Sequence, residues 1–253
     1  MAPVTDILMY HSVSGVGGAT ATPPAVFAMQ MRALAETGLP VLDMDQWLAA
    51  RESGQLPPHS VVITFDDGFQ DFADAAWAEM SRHGFRPVVY LPTGYVGRAE
   101  GWKGIGKPPR ALMGWDSISA LADEGVLFGS HTISHADLTS LDDSRLEIEL
   151  AQAKSELEQR LARAIHHFAP PYGLADHRVR AQIARHYRSS VSTRLAQVGA
   201  GDDPFDLPRL EMFYFHDEAR WRDHLAGRGW AYLARRKLMR AVKAAAVKPW
   251  AGL

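Results

Sequence analysis

The sequence predicts an α/β barrel, its parallel strands closed or nearly closed into a ring. Three observations lead there. Short apolar runs alternate with helix-like segments about seven times along the chain, the pattern of parallel strands joined by helical crossovers. Most of the strand-like runs are short and continuously apolar, as strands buried on both faces are. His11, Asp66-Asp67, His131 and Pro171-Tyr172 each fall just after such a run, the end at which barrels of this class carry their chemistry.

The elements follow in order. Ile7 to Tyr10 reads as the first strand and runs into His11-Ser12, and a Gly/Ala/Thr loop follows to Ala21. Thr22-Pro23-Pro24 opens a helix, since proline is tolerated in a first turn. Phe27, Met31, Leu34 and Ala35 form its apolar stripe and Gly38 stops it. Val41-Leu42 predicts a short strand, and Trp47-Leu48 a short helix after Asp45. Val61 to Phe65, all β-branched or aromatic, predicts a buried strand. Residues 69–83 predict a helix closed by Gly84, and residues 87–91 a strand with proline at its first position. The loop 93–110 is rich in glycine and proline, of a length that usually marks function or mobility. Residues 117–123 predict a helix ended by Gly125, and 126–129 a strand ending in Ser130-His131. Asp142 caps a long helix to about Ala164, with Leu146, Leu150, Ala153, Leu157 and Leu161 at helical spacing. Residues 166–169 form a strand, 175–186 a helix, 188–192 a strand and 207–214 the last strand. The stretch 217–247 reads as helical, and a basic end carries Arg235, Arg236, Lys237, Arg240, Lys243 and Lys248.

Composition narrows the function classes. The 253 residues are 47% hydrophobic and 22% charged, ordinary globular values that need no staples. A formal net charge of -2 gives no global basic field, so nucleic acid is not the expected partner. With no cysteine, disulfides, thiolate metal sites and a cysteine nucleophile are excluded. The first residues lack the basic region and long apolar core of a signal peptide, and no run reaches the length of a membrane span. The expectation is therefore a cytoplasmic protein, with membrane contact through the basic C-terminal helix as a further reading.

Two stretches carry chemistry. Val61 to Phe65 ends in Asp66-Asp67-Gly68, where alternation aims neighbouring carboxylates in different directions and glycine permits a sharp turn. A strand-ending turn with an aspartate cap is the plain alternative. His131-Thr132-Ile133-Ser134-His135 spaces two imidazoles four residues apart, so that on one helical turn or a tight loop both reach one ion. With 11 histidines in the chain such a pair arises easily by chance, and its position after a strand is what strengthens it.

These motifs resemble those of the polysaccharide deacetylases, carbohydrate esterase family four, over residues 7 to about 211. The first motif stands as Thr64-Phe65-Asp66-Asp67-Gly68, the second as His131-Thr132-Ile133-Ser134-His135, and the third as Ala169-Pro170-Pro171-Tyr172-Gly173. The resemblance implies an irregular, incomplete (β/α)7-type barrel over residues 1–215, with residues 216–253 as a basic helical extension packed on or beside it. The extension is read from its residues alone; the resemblance implies Asp66 as catalytic base and Asp67, His131 and His135 as ligands of one divalent ion. Zn²⁺ is favoured by ligand type, and Co²⁺, Ni²⁺ or Fe²⁺ are also suited. The backbone N–H of Tyr172 is expected to face the developing oxyanion. Two departures stand out. Ala169 replaces the arginine that usually opens the third motif and braces the base, and no late Leu-x-His motif supplies the general acid. Leu8-Met9-Tyr10-His11 resembles instead the permuted branch that deacetylates poly-N-acetylglucosamine, which makes His11 the expected acid. Leu207-Pro208-Arg209 resembles the fourth motif, so Arg209 is a candidate brace for Asp66, and Asp206 an alternative partner that would orient His11. Trp102 and Trp115 are candidates for sugar stacking, Trp115 equally for packing.

The expected function is metal-dependent removal of N-acetyl groups from an amino sugar or N-acetylated polysaccharide. Two other readings share the scaffold: an amidohydrolase acting on a small cyclic amide or imide, which a ureide and imide screen separates, and a non-catalytic carbohydrate-binding relative, marked by glycan binding without turnover.

Overall fold

The computed structural model describes residues 2–18, 20–102 and 109–246, with the side chains of the last helix described through Val242. Lys243 as a side chain and Lys248 altogether lie outside the described residues. Seven parallel strands pair in chain order: β1 (Val4–Tyr10), β2 (His59–Phe65), β3 (Val88–Leu91), β4 (Leu127–Ser130), β5 (His167–Phe168), β6 (Ser189–Leu195) and β7 (Leu207–Glu211). β7 pairs back onto β1, Leu8 opposite Leu210 and Met9 opposite Glu211, which closes the ring. The expected barrel is thus present. Its irregularity lies in β5, only two residues long, and in a register shift between β6 and β7.

Eight α-helices wrap the barrel among the described residues: α1 (Pro24–Thr37), α2 (Met44–Glu52), α3 (Trp77–Arg82), α4 (Trp115–Asp123), α5 (Asp143–Leu161), α6 (His177–His186), α7 (Glu218–Leu225) and α8 (Trp230–Ala246). Their starts are local chemistry. The side chains of Asp43, Asp142, Asp176 and Asp217 each accept a backbone N–H of the first turn of α2, α5, α6 and α7, satisfying donors that a helix leaves orphaned.

Side-chain alternation decides the two faces of the ring. Leu8 and Tyr10 of β1 and Ile63 and Phe65 of β2 point outward into the layer beneath α1, where Tyr10 stacks on Phe65 at 5.2 Å and Phe27 meets Tyr10 edge-on. Ile7, Val62, Tyr90, Val191 and Leu207 fill a separate cluster with Trp47, the barrel interior. By the same parity Thr64 and Asp66, and Arg209 and Glu211, fall on the inner side.

Four expectations are corrected. Val41-Leu42 forms no barrel strand, only a single bridge from Val41 to Val61, because the Asp43 cap turns the chain into α2 at once. The helix after Gly68 starts at Gln70, as expected within a residue, but winds as a π-helix over Phe72–Ala76 before α3. The last strand ends at Glu211, and Met212–Phe215 is a 3₁₀ turn whose carbonyls at Met212 and Phe215 accept the buried Gln30 amide at 3.3 and 2.9 Å. The C-terminal helix is two helices, broken at Gly227, whose φ of 76° lies in the left-handed region.

Candidate active site

Asp66 continues the β1–β2 ladder, its N–H donating to the Tyr10 carbonyl at 2.9 Å, so its side chain stays on the inner face. Asp67 and Gly68 then both adopt positive φ, 73° and 70°. A Cβ at Gly68 would sit 2.3 Å from Leu91 Cδ2 and would force that buried side chain to move, and the positive φ adds strain for any other residue. This left-handed pair separates the two carboxylates.

Asp66 meets Arg209 from β7. Nη1 donates to Oδ1 and Nη2 to Oδ2, each at 2.7 Å, while Arg209 Nε donates to the Ser192 carbonyl at 2.9 Å and Nη1 also reaches Thr64 Oγ1 at 3.1 Å. Both side chains are buried. Burial pushes the Asp66 carboxyl up, but the Arg209 charge and its hydrogen bonds outweigh that and hold it below the usual carboxylate range. Arg209 thus occupies the bracing position that the third motif leaves open at Ala169.

Asp67 points across the mouth to the loop after β4. The His-x-x-x-His stretch is a tight loop there, with Thr132 and His135 at φ 70° and 55°. Glu149 of α5 pins it, accepting from the Ile133 N–H (2.8 Å), the Ser134 N–H (3.0 Å) and Ser134 Oγ (2.5 Å), and Thr132 Oγ1 accepts the His135 N–H at 3.0 Å. Asp67 Oδ1 lies 3.5 Å from His131 Nε2 and 3.2 Å from His135 Nε2, and all three residues are buried. The Ala169 carbonyl lies 2.6 Å from His131 Nδ1 and accepts its proton, which leaves Nε2 as the atom with a lone pair. Ala169, which stands where the third motif usually has an arginine, therefore contributes through its backbone.

The donor set fits a divalent ion. Asp67 Oδ1 is a buried oxygen with no hydrogen-bond donor, faced by two imidazole nitrogens. Two such nitrogens and one carboxylate suit a borderline cation and leave coordination positions open. Of the five described non-glycine residues with positive φ, Asp67, Thr132, His135 and Tyr172 line or frame this mouth, where sparsely populated backbone is expected to concentrate.

His11 follows β1, and its Nε2 stands 3.9 Å from Asp66 Oδ2. Asp206 does not orient it; that carboxylate turns to Arg194 at 3.5 Å. The carboxylate that lines the mouth with His11 is instead Glu211, which burial pushes up in pKa against the pull of His11 and Arg240. Sequence reading missed Glu211, although it ends the last strand on the inner parity of Arg209. Tyr172, at φ 60° in the turn Pro171–Gly173, sets its ring edge-on to His135 at 4.8 Å. Trp102 stacks on His135 at 4.2 Å, so its ring walls the mouth. Trp115 lies at the start of α4 beneath the Arg160 guanidinium and is a packing residue. Arg110 and Glu100, both on the long loop, form a two-pronged ion pair (2.8 and 2.9 Å) lining the mouth. The cavity so enclosed is about 400 Å³, at the lower end of small-molecule sites.

The sequence profile of the polysaccharide deacetylases matches residues 53–189, more than half of the chain, and takes in both aspartates, both loop histidines and Tyr172. The chain belongs to the polysaccharide deacetylase family. It is 27% identical over 149 residues to YxkH of Bacillus subtilis (strain 168), whose name places it among the polysaccharide deacetylases; this covers 58% of the chain. The match spans 49% of YxkH, about half its length. Among solved structures, the Streptococcus pyogenes deacetylase PplD in complex with acetate superposes with a TM-score of 0.73 at 22% identity, over 83% of this chain and 92% of that one. IcaB from Ammonifex degensii superposes with a TM-score of 0.72 at 22% identity, over 90% and 98%. Both share the deacetylase barrel, and IcaB shares it over nearly the whole of its own length.

Proposed function

We propose that this chain hydrolyses the N-acetyl amide of an acetylated amino sugar or amino-sugar polymer, with Asp66 as base and His11 as acid. The observation that carries this reading is the pairing of two environments at one strand end. Asp66 is held ionised by Arg209, and beside it Asp67, His131 and His135 converge as a ligand set. The acetate that PplD holds is the product such a reaction would release.

A divalent ion held by Asp67, His131 and His135 would supply Lewis acidity, acidifying water and polarising a carbonyl. Asp66 removes the proton from the attacking water, and Arg209 fixes both its oxygens so that the base does not rotate away. The backbone N–H of Tyr172 faces the oxygen that gains charge as the acetyl carbon becomes tetrahedral. His11 donates a proton to the departing nitrogen, so that an amine leaves rather than an amide anion. Trp102 and the Glu100–Arg110 pair wall the mouth.

Acetate release from acetylated amino-sugar oligomers, with metal content measured on the same sample, tests the reading. Asp66→Asn keeps the ion and loses acetate release by at least about 10²-fold, the scale of a lost proton-transfer group. An Asp66→Asn variant as active as the parent overturns the base assignment.

We also infer contact with an anionic membrane surface through α8. No described helix is long and apolar enough to cross a membrane. Yet Trp230, Leu238, Met239 and Val242 of α8 are exposed large apolar residues on a helix that carries Arg235, Arg236, Lys237 and Arg240, the composition of an interfacial helix. The chain is expected to float with phosphatidylglycerol vesicles and not with neutral ones; equal behaviour in both overturns this.

A further inference from the structure

At the opposite end of the barrel, a second His-His-Asp cluster takes no part in the reaction proposed above. His166 and His167 stand at the N-terminal end of β5, and Asp45 lies in the first turn of α2. His166 Nδ1 is 3.0 Å from Asp45 Oδ1, and His167 Nε2 is 3.1 Å from the same oxygen. One carboxylate oxygen thus faces two imidazole nitrogens, as Asp67 Oδ1 does in the mouth. Donors about 2.0–2.1 Å from a tetrahedral ion stand about 3.3 Å apart, so both clusters lie within a few tenths of an ångström of that spacing.

We propose that Asp45, His166 and His167 bind a second divalent ion of zinc type, with a structural role. Three further observations support a site over a plain pair of hydrogen bonds. His167 is buried, and its Nδ1 lies 2.9 Å from Ser189 Oγ. The Ser189 hydroxyl can accept Nδ1–H, and in that tautomer Nε2 would turn its lone pair toward Asp45, the outer-shell arrangement of a ligating imidazole. Asp45 and His166 are partly exposed, so a coordinated water has room to complete the shell. The nearby cations are already neutralised: Arg188 pairs with both oxygens of Glu52, and Arg163 with Asp123. An ion there would tie α2 to β5 and, through Ser189, to β6. β5 is the two-residue strand, so that is where the ring is held by fewest backbone bonds. Placement at the strands' N-terminal ends agrees with stability rather than chemistry.

The test uses binding and not turnover, so it stands whatever the reaction proves to be. The protein is loaded with Zn²⁺ or Co²⁺, desalted, and its metal counted by elemental analysis. The unaltered chain is expected to hold two ions. The His131→Ala/His135→Ala variant, which dismantles the mouth site, is expected to hold one, to show the visible absorption of tetrahedral Co²⁺, and to gain thermal stability on Zn²⁺ addition. Adding His166→Gln and Asp45→Ala removes the ion, the absorption and the thermal gain, with circular dichroism confirming the fold. If the mouth double variant does not fold, the unaltered chain is compared with its His166→Gln variant: two ions against one supports the site. One ion in both, or an ion that survives His166→Gln with Asp45→Ala, overturns it.

Discussion

At Asp66, burial alone favours the neutral acid, and the two-pronged contact with Arg209 reverses that preference. In the proposed reaction the base must be ionised, so its depressed pKa is expected to extend activity toward acid. Arg209→Lys keeps a positive charge but loses the fork, and the two are not interchangeable at such a site. The acid limb of kcat/KM is expected to move to higher pH, with kcat/KM falling about 10–100-fold, the scale of lost bracing groups. A pH–rate profile checks both. The same pair contributes to folding: its stabilisation is present above the ordinary carboxylate pKa of about 4 and is lost as pH falls through the lower folded value. The two aspartates were legible in sequence because they are adjacent and followed by glycine. Arg209 was legible only as a motif fragment, since 143 residues separate it from Asp66 and only ring closure brings them together.

Among the elements, α5 acts on the site from outside it. Its inward stripe, Leu146, Leu150, Ala153 and Leu157, is buried as its spacing predicts, and its cap is the expected Asp142. What spacing does not reveal is that Glu149, on the neighbouring face, pins the His131–His135 loop by three hydrogen bonds. Glu149→Ala is expected to leave the helix intact and to weaken divalent-ion binding about 10–100-fold, measured by competition with a chelating dye. The misread elements share one cause. The strand at Val41, the regular α-helical register over residues 69–83 and the long last strand all follow from local propensity. In the folded chain a cap, a π turn and the Gln30 amide supply different partners for the same backbone. The loop histidines differ again: their spacing suited a helical turn or a loop, and the Thr132 and His135 backbones select the loop.

Across the whole molecule, the first strand and the C-terminal helices are joined through one buried carboxylate. Asp6 of β1 accepts from His59 of β2 at 2.8 Å, from His224 of α7 at 2.9 Å and from Gln197 at 2.9 Å. Burial pushes Asp6 up, but hydrogen bonds from His224 and His59 outweigh it and hold its pKa far below the ordinary value. The hydrogen bond to Asp6 raises that of His59. The Asp6 contribution is present above pH about 4 and lost as pH falls through its folded value; the His59 contribution is full below about 6.5 and lost as pH rises through its raised value. The clamp is therefore strongest between about pH 4 and 6.5. Asp6→Ala strands three donors and is expected to cost about 3 kcal/mol, with Tm falling most within that window, as calorimetry at several pH values would show. By itself the sequence determined the barrel class, the strand ends that carry chemistry and the separation of two carboxylates, because these depend on period, local turn residues and motif spacing. The tertiary structure alone decided that Arg209 braces Asp66, that Glu211 lines the mouth with His11, that Glu149 holds the His131–His135 loop and that Asp6 anchors α7. Each of those placements brings together residues from different elements, and no local pattern along the chain encodes a distance that only folding creates.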